Sequence, residues 1–389
     1  MKFIEDYNID NKKVILRLDL NVTIKNNKIL DNTKIVKSLK TINYCLEHND
    51  HILIMSHLGK IKTEEDRGKN SLKIVCDELR KLLHKDIYFV PRTRGKELED
   101  SFSKHVITMM ENTRFEDLDG KKESGCDEEL SKYWASLGDV FVNDAFGTTH
   151  RKHASNYGIS KYSKVSLYGY LIQEEINGLK PIISDVKRPF TVIMGGAKVD
   201  DKVALIKSLL NDADYLLVGG GIANTFLKAS GKEIGKSLYS KEYVDEIKDL
   251  LNKYSSKIIM PIDVVVTEEN SIIDEPNNIS IDDMKSNNII YDIGPNTINN
   301  YKDIIDNSNT IFLNGTVGKY EEPNYANGTK ELLNVLKHAK CIKIAGGGDA
   351  LASINSLHQE SSFNYLSTGG GATLEYIATK KLACFEDEK

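Results

Sequence analysis

The chain has no Cys-x-x-Cys pair: its five cysteines, Cys45, Cys76, Cys126, Cys341 and Cys384, lie far apart. An odd, scattered set argues against a disulfide framework or a zinc site and predicts reduced thiols, as in a cytoplasmic protein. Nor does any run approach the ~18 apolar residues of a membrane span. The opening MKFIEDYNID sets acidic residues where a signal peptide needs an apolar stretch. These absences predict a soluble protein with no membrane partner. An excess of one charge is missing too. The formal net charge of −5 leaves no global basic face, which argues against a nucleic-acid partner. Any anionic ligand must then be held by a local basic cluster.

What remains is the balance of a globular protein, 40% hydrophobic and 28% charged over 389 residues, enough chain for two or three domains. Short apolar runs alternate with helix-like spacing. KVILRL (13–18), HILIMS (51–56), DIYFV (86–90), HVITMM (105–110) and DVFVN (139–143) read as buried parallel strands. TKIVKSLKTINYCLEHN (33–49) and SLKIVCDELRKLLH (71–84) carry apolar residues at helical spacing. A second series follows with FTVIM (190–194), YLLVG (215–219), KIIM (257–260), TIFL (310–313), CIKIA (341–345) and FNYLS (363–367). The expected fold class is α/β: two doubly wound, parallel-sheet, Rossmann-like domains joined by a helix, with a cleft between them. The expected organisation is 1–170, a helix at 171–185, 186–370, and a C-terminal segment at 371–389 returning to the first domain.

Open α/β sheets bind ligands beyond the carboxyl ends of their strands. In the first half those positions hold Asp19 and Asn21, His57 and Lys60, Glu111, Asn112 and Arg114, then Asn143, Asp144, His150 and Arg151. In the second they hold Gly195-Gly196-Ala197-Lys198, Gly219-Gly220-Gly221, Asn314-Gly315, Gly346-Gly347-Gly348-Asp349 and Gly369-Gly370-Gly371. Of 27 glycines, 17 fall after residue 185, so one half offers basic side chains and the other bare backbone. Glycine between strand and helix lets amide N–H groups approach an anion at a helix N-terminus. Lys198 and Lys202, four apart, would share a face of a starting helix. Asp349 reads either as a helix N-cap or as a hard oxygen ligand for Mg²⁺. Two decoys fail. GKEIGKS (231–237) has three residues between its glycines where a P-loop needs four, and GGGIAN (219–224) has asparagine where the dinucleotide fingerprint needs its third glycine.

In order, RLDLNV (17–22), SHLG (56–59), ENTRF (111–115), VNDAFGTTHR (142–151), GGAKVDDK (195–202), GGGIANTFL (219–227), GGGDA (346–350) and STGGGATLE (367–375) resemble the phosphoglycerate kinase family over essentially the whole chain. The resemblance implies phosphoryl transfer between 1,3-bisphosphoglycerate and ADP, with Mg²⁺ accompanying ADP or ATP, in a monomer that closes about a hinge. It implies that Asp19, Asn21, Lys34, His57, Lys60, Arg114, His150 and Arg151 bind the acid. It places Gly195, Gly196, Ala197, Lys198, Lys202, Gly219, Asn314, Glu321, Gly346, Gly347, Gly348, Asp349 and Ala350 on the nucleotide. Asp349 would ligate the metal, and Lys34, Lys198, Gly347 and Gly370 would serve catalysis. The sequence departs from the family strings at Thr23, Lys60, Leu313, Thr316 and Ala350, and most seriously at Lys34, where the family has arginine. Under the resemblance that change also leaves open a catalytically weakened relative acting by nucleotide binding and interaction.

Overall fold

The structure, a computed structural model, describes residues 1–49, 51–200, 202–269 and 275–385. The chain divides into two compact units, Met1–Ile176 with the chain from Lys381 onward, and Asn177–Lys380. The helix Tyr170–Ile183 carries the chain across that division.

The first unit is built on six parallel strands in the order Tyr88–Val90, Ile107–Met110, His51–Met55, Lys13–Leu18, Val140–Asp144 and Ser166–Tyr168. Alternation along a strand sends successive side chains to opposite faces. Val14, Leu16 and Leu18 accordingly join one apolar cluster, and Ile15 joins another with Leu53, Met55, Phe102, Trp134 and Phe141. Helix Thr33–His48 buries Ile35, Ser38, Thr41, Ile42 and Cys45, one stripe at helical spacing. Trp134, the chain's single tryptophan, is fully buried and donates its indole N–H to the Thr93 carbonyl at 2.7 Å.

The second unit repeats the plan with strands Ile258–Ile259, Tyr215–Val218, Phe190–Met194, Thr310–Asn314, Ile342–Gly346 and Tyr365–Ser367, all parallel. It also holds an antiparallel sheet of Asn277–Ser280, Asp263–Glu268 and Asn288–Ile293, over its own cluster of Leu227, Ile234, Val264, Val266 and Ile281. On this sheet the carboxylate of Asp292, 1% exposed, accepts the Gly328 N–H at 2.6 Å. The C-terminal segment departs from expectation: helix Gly371–Thr379 belongs to the second unit, and the first resumes only at Lys381.

Candidate active site

In the first unit the strand ends gather a basic cluster. Arg17, on the strand Lys13–Leu18, is wholly buried, and its Nη2 lies 3.2 Å from His57 Nδ1. Asp19 follows that strand and accepts from Lys34 Nζ at 2.8 Å, where Lys34 enters from the first turn of Thr33–His48. Burial works to raise the Asp19 pKa, but the Lys34 charge and hydrogen bond, with Arg17, outweigh it and hold the carboxylate below its ordinary range. Asn21 turns inward and accepts the Gly59 N–H at 2.8 Å, tying the first loop to the SHLG loop. Lys60, at the next position, is exposed.

Three histidines near these arginines are held neutral. Burial, then Arg17, keeps His57 well below its usual pKa. Burial and Arg151 push His150 down to about 4. Burial, then Arg114 and Arg17, push His153 to about 3. The fixed positive charge therefore rests on Arg17, Lys34, Arg114 and Arg151. Arg114 lies 3.7 Å from Asp117, and Arg151 Nε donates to His150 Nε2 at 3.0 Å. Among the described residues, Arg114 Nε and His150 Nδ1 are buried without a hydrogen-bond partner. Such atoms call for a ligand or water. Glu111, Asn143 and Asp144 have other work: Glu111 accepts the Leu72 N–H, Asn143 the Ala145 N–H and Asp144 the Thr41 hydroxyl.

In the second unit the strand ends present backbone. Gly196, Gly220, Gly315, Gly347 and Gly370 all have positive φ. The first three loops interlock: Gly196 N–H donates to Thr316 O at 2.9 Å and Gly195 N–H to Asn314 O at 2.8 Å. A Cβ on Gly195 would sit 2.1 Å from Thr316 O, so this glycine is required by the close approach. Asn314 is 1% exposed, donates to Gly346 O at 2.7 Å, and keeps a buried Oδ1 without a partner among the described residues. The shared-face expectation for Lys198 and Lys202 does not hold. The helix begins at Val203 with Lys202 at its N-cap, and Lys202 N–H donates to Val199 O. Lys202 Nζ reaches back to Gly195 O at 2.8 Å, whereas Lys198 and Ala197 are exposed.

Asp349 is not a cap. Gly347 occupies the N-cap of Gly348–Ser356, and Asp349 stands exposed in the first turn. Tyr320 has its pKa raised by burial, then by the charges of Glu321 and Asp349, which brings those two acids to one neighbourhood. Gly219 is the N-cap of Gly220–Ala229. Gly348 and Gly370 have open space where a Cβ would stand.

The phosphoglycerate kinase family profile matches residues 4–380. The chain belongs to the phosphoglycerate kinase family. It is 46% identical to a phosphoglycerate kinase of Lacticaseibacillus casei over 383 residues, 97% of this chain and 96% of that protein. A Fusobacterium nucleatum phosphoglycerate kinase is 45% identical over 387 residues, 98% and 97% of the two chains. Among solved structures, phosphoglycerate kinase from Coxiella burnetii superposes with a TM-score of 0.88 at 34% identity, covering 98% of this chain and 97% of that one. The Pyrococcus horikoshii enzyme gives 0.83 at 27%, covering 99% and 98%.

Two departures from the phosphoglycerate kinase strings are absorbed by packing: Leu313 and Ala350 are buried in the second unit's core. Arg17 and His153, which no motif role marks, also join the basic cluster. Arg17 lay hidden in the apolar run KVILRL, yet a charge inside a buried strand is itself a signal, because buried arginines are rare unless paired. His153 follows Arg151 by two residues within HRKHA.

Proposed function

We propose that this chain catalyses reversible phosphoryl transfer from 1,3-bisphosphoglycerate to ADP, giving 3-phosphoglycerate and ATP. The observation that carries this reading is the basic cluster itself, with the buried donor Arg114 Nε unpartnered. Family membership supplies the reaction. Arg114 and Arg151 would grip the phosphate that is not transferred, since a guanidinium offers bidentate donors matched to phosphate. Asp19 and Asn21 would meet the hydroxyl and carboxylate region. With the histidines neutral, attraction for the acid comes from arginine and lysine, and so persists through neutral pH.

On the nucleotide side, the Gly195–Lys198, Gly219–Gly221 and Gly346–Gly348 loops would bring amide N–H groups to the phosphates, with Lys202 and Asn314 beside them and Glu321 on the ribose. Among the described residues no group of three or more His, Cys, Asp or Glu could hold a metal ion. A single exposed carboxylate at Asp349 suits Mg²⁺, which keeps waters and takes substrate phosphates as ligands. Bound there, Mg²⁺ would neutralise phosphate charge.

In the forward direction a β-phosphate oxygen of ADP attacks the acyl phosphorus in line. The bond from phosphorus to the carboxyl oxygen breaks, and the carboxylate leaves carrying the electron pair. Positioning and charge neutralisation, here by Lys34 and Lys198, do most of such work. Because the two reactants are assigned to different units, the reading includes a hinge motion, with Tyr170–Ile183 as its candidate element. A coupled assay for ATP formation from 1,3-bisphosphoglycerate tests it, and an inactive purified protein would reject it.

A further inference from the structure

Glu123 lies among the arginines but touches none of the atoms assigned to substrate. It is 0% exposed. A buried carboxylate is costly unless it is paired and hydrogen-bonded, and this one is bonded on both oxygens. Oε1 accepts from the Ser155 hydroxyl at 2.5 Å and from the Thr113 hydroxyl at 3.1 Å, and Oε2 accepts the Ser155 N–H at 2.9 Å. The Glu123 backbone carbonyl accepts the Ala154 N–H at 2.9 Å. Ser155 Oγ in turn accepts from Arg17 Nε at 2.9 Å. The Arg17 guanidinium is then completed by Leu18 O and His57 Nδ1.

These bonds reach two stretches directly, at Thr113 and at Ala154–Ser155, and a third, at Arg17, through Ser155. Thr113 precedes Arg114, Ala154 follows His153, and Ser155 holds Arg17. Ser155 makes the chain directional: its one hydroxyl proton goes to Glu123, which leaves its lone pair facing Arg17 Nε. Glu123 is also the charge that most opposes the effect of burial on Arg17. We propose that Glu123 is a positioning residue for the acid substrate, fixing the Arg17 guanidinium through Ser155 and holding the Arg114 and His153 loops in register.

This inference rests on the proposed kinase reaction. Glu123→Gln keeps the shape but turns an amide NH2 against a donor, so one bond of the set is lost. Assayed in the reverse direction, with 3-phosphoglycerate and ATP as substrates, Glu123→Gln should raise KM for 3-phosphoglycerate about tenfold and leave KM for ATP within about twofold, the scale of one charge-assisted bond. Ser155→Ala, a gentler change, should raise the acid KM roughly threefold, and Glu123→Asp should recover part of the loss. Combined with Arg17→Lys, the Glu123→Gln penalty should fall short of additive, because both act through one guanidinium. Equal rises in both KM values, or a lowered Tm with an unchanged acid KM, would show a merely structural carboxylate and overturn the proposal. If Glu123→Gln does not fold, an unchanged acid KM in Ser155→Ala overturns it instead. Wild-type protein without activity would reject the kinase reading itself, a different result from active protein indifferent to Glu123.

Discussion

Lys34 meets Asp19 through one charge-assisted hydrogen bond, with about a third of its side chain exposed. A lysine is a point charge with rotatable donors, whereas arginine offers a planar fork. Lys34 should therefore neutralise a transferring phosphoryl group without clamping it. Lys34→Arg is expected to raise kcat, and Lys34→Ala to lower it by roughly 10²–10³-fold, the scale of removing one transition-state donor. Equal kcat for all three would place Lys34 outside the reaction. A second residue gives a pH test. Burial raises the Asp292 pKa from 3.8 to about 7, against the pull of the Gly328 and Ile293 N–H groups. A carboxyl with a raised folded-state pKa binds more protons folded than unfolded between those values, so stability falls as pH rises through that window. Asp292→Asn should thus gain stability relative to the parent between pH ~4 and ~7, and parallel denaturation curves across that range would contradict the burial argument. At this scale the legible residues were those placed by motif and strand end, buried ones such as Asp19 and His57 included. Arg17, Glu123 and His153 were not, because their significance lies in contacts between stretches remote in sequence: Glu123 and Ser155 are 32 residues apart.

Glycine loops behave as elements, and their members differ in a way that composition conceals. A Cβ on Gly221 would lie 1.9 Å from the Ala197 carbonyl oxygen, so Gly221→Ala should both destabilise the second unit and disturb the Lys198 loop. Gly348 has no atom within 4 Å of such a Cβ and no positive φ. Gly348→Ala should leave Tm unchanged or raise stability by up to ~1 kcal/mol, as alanine does in a helix, while raising KM for nucleotide. An unchanged nucleotide KM would mean that the phosphates do not approach this turn. The strands legible in sequence were the apolar ones, such as FTVIM and KVILRL. The antiparallel sheet was not, because Asn277–Ser280 is NNIS, exposed along most of its length, with neither an apolar run nor a clean alternation to mark it. Ser166–Tyr168 is only three residues long. The four-residue spacing of Lys198 and Lys202 misled for a related reason: i,i+4 spacing has that meaning only inside a helix, and this helix starts at Val203, after both lysines.

For the whole molecule, the proposed assignment of one ligand to each unit makes the ligands separable. Arg151→Ala should weaken 3-phosphoglycerate binding by roughly 1–3 kcal/mol and leave ADP affinity nearly unchanged. Asp349→Asn should do the reverse for Mg-ADP while sparing the acid. Calorimetry in which either variant loses both ligands equally would overturn the assignment. The position of Trp134 bears on how such variants can be followed. As the only tryptophan, sealed in the first unit with its N–H on Thr93, it makes indole fluorescence a local signal. Its emission reports the opening of the first unit and is blind to the second. Circular dichroism, by contrast, averages both. In a denaturant titration, emission and ellipticity curves that coincide would mean that the halves melt together, and curves that separate would let the stability of each be read from one protein without labels.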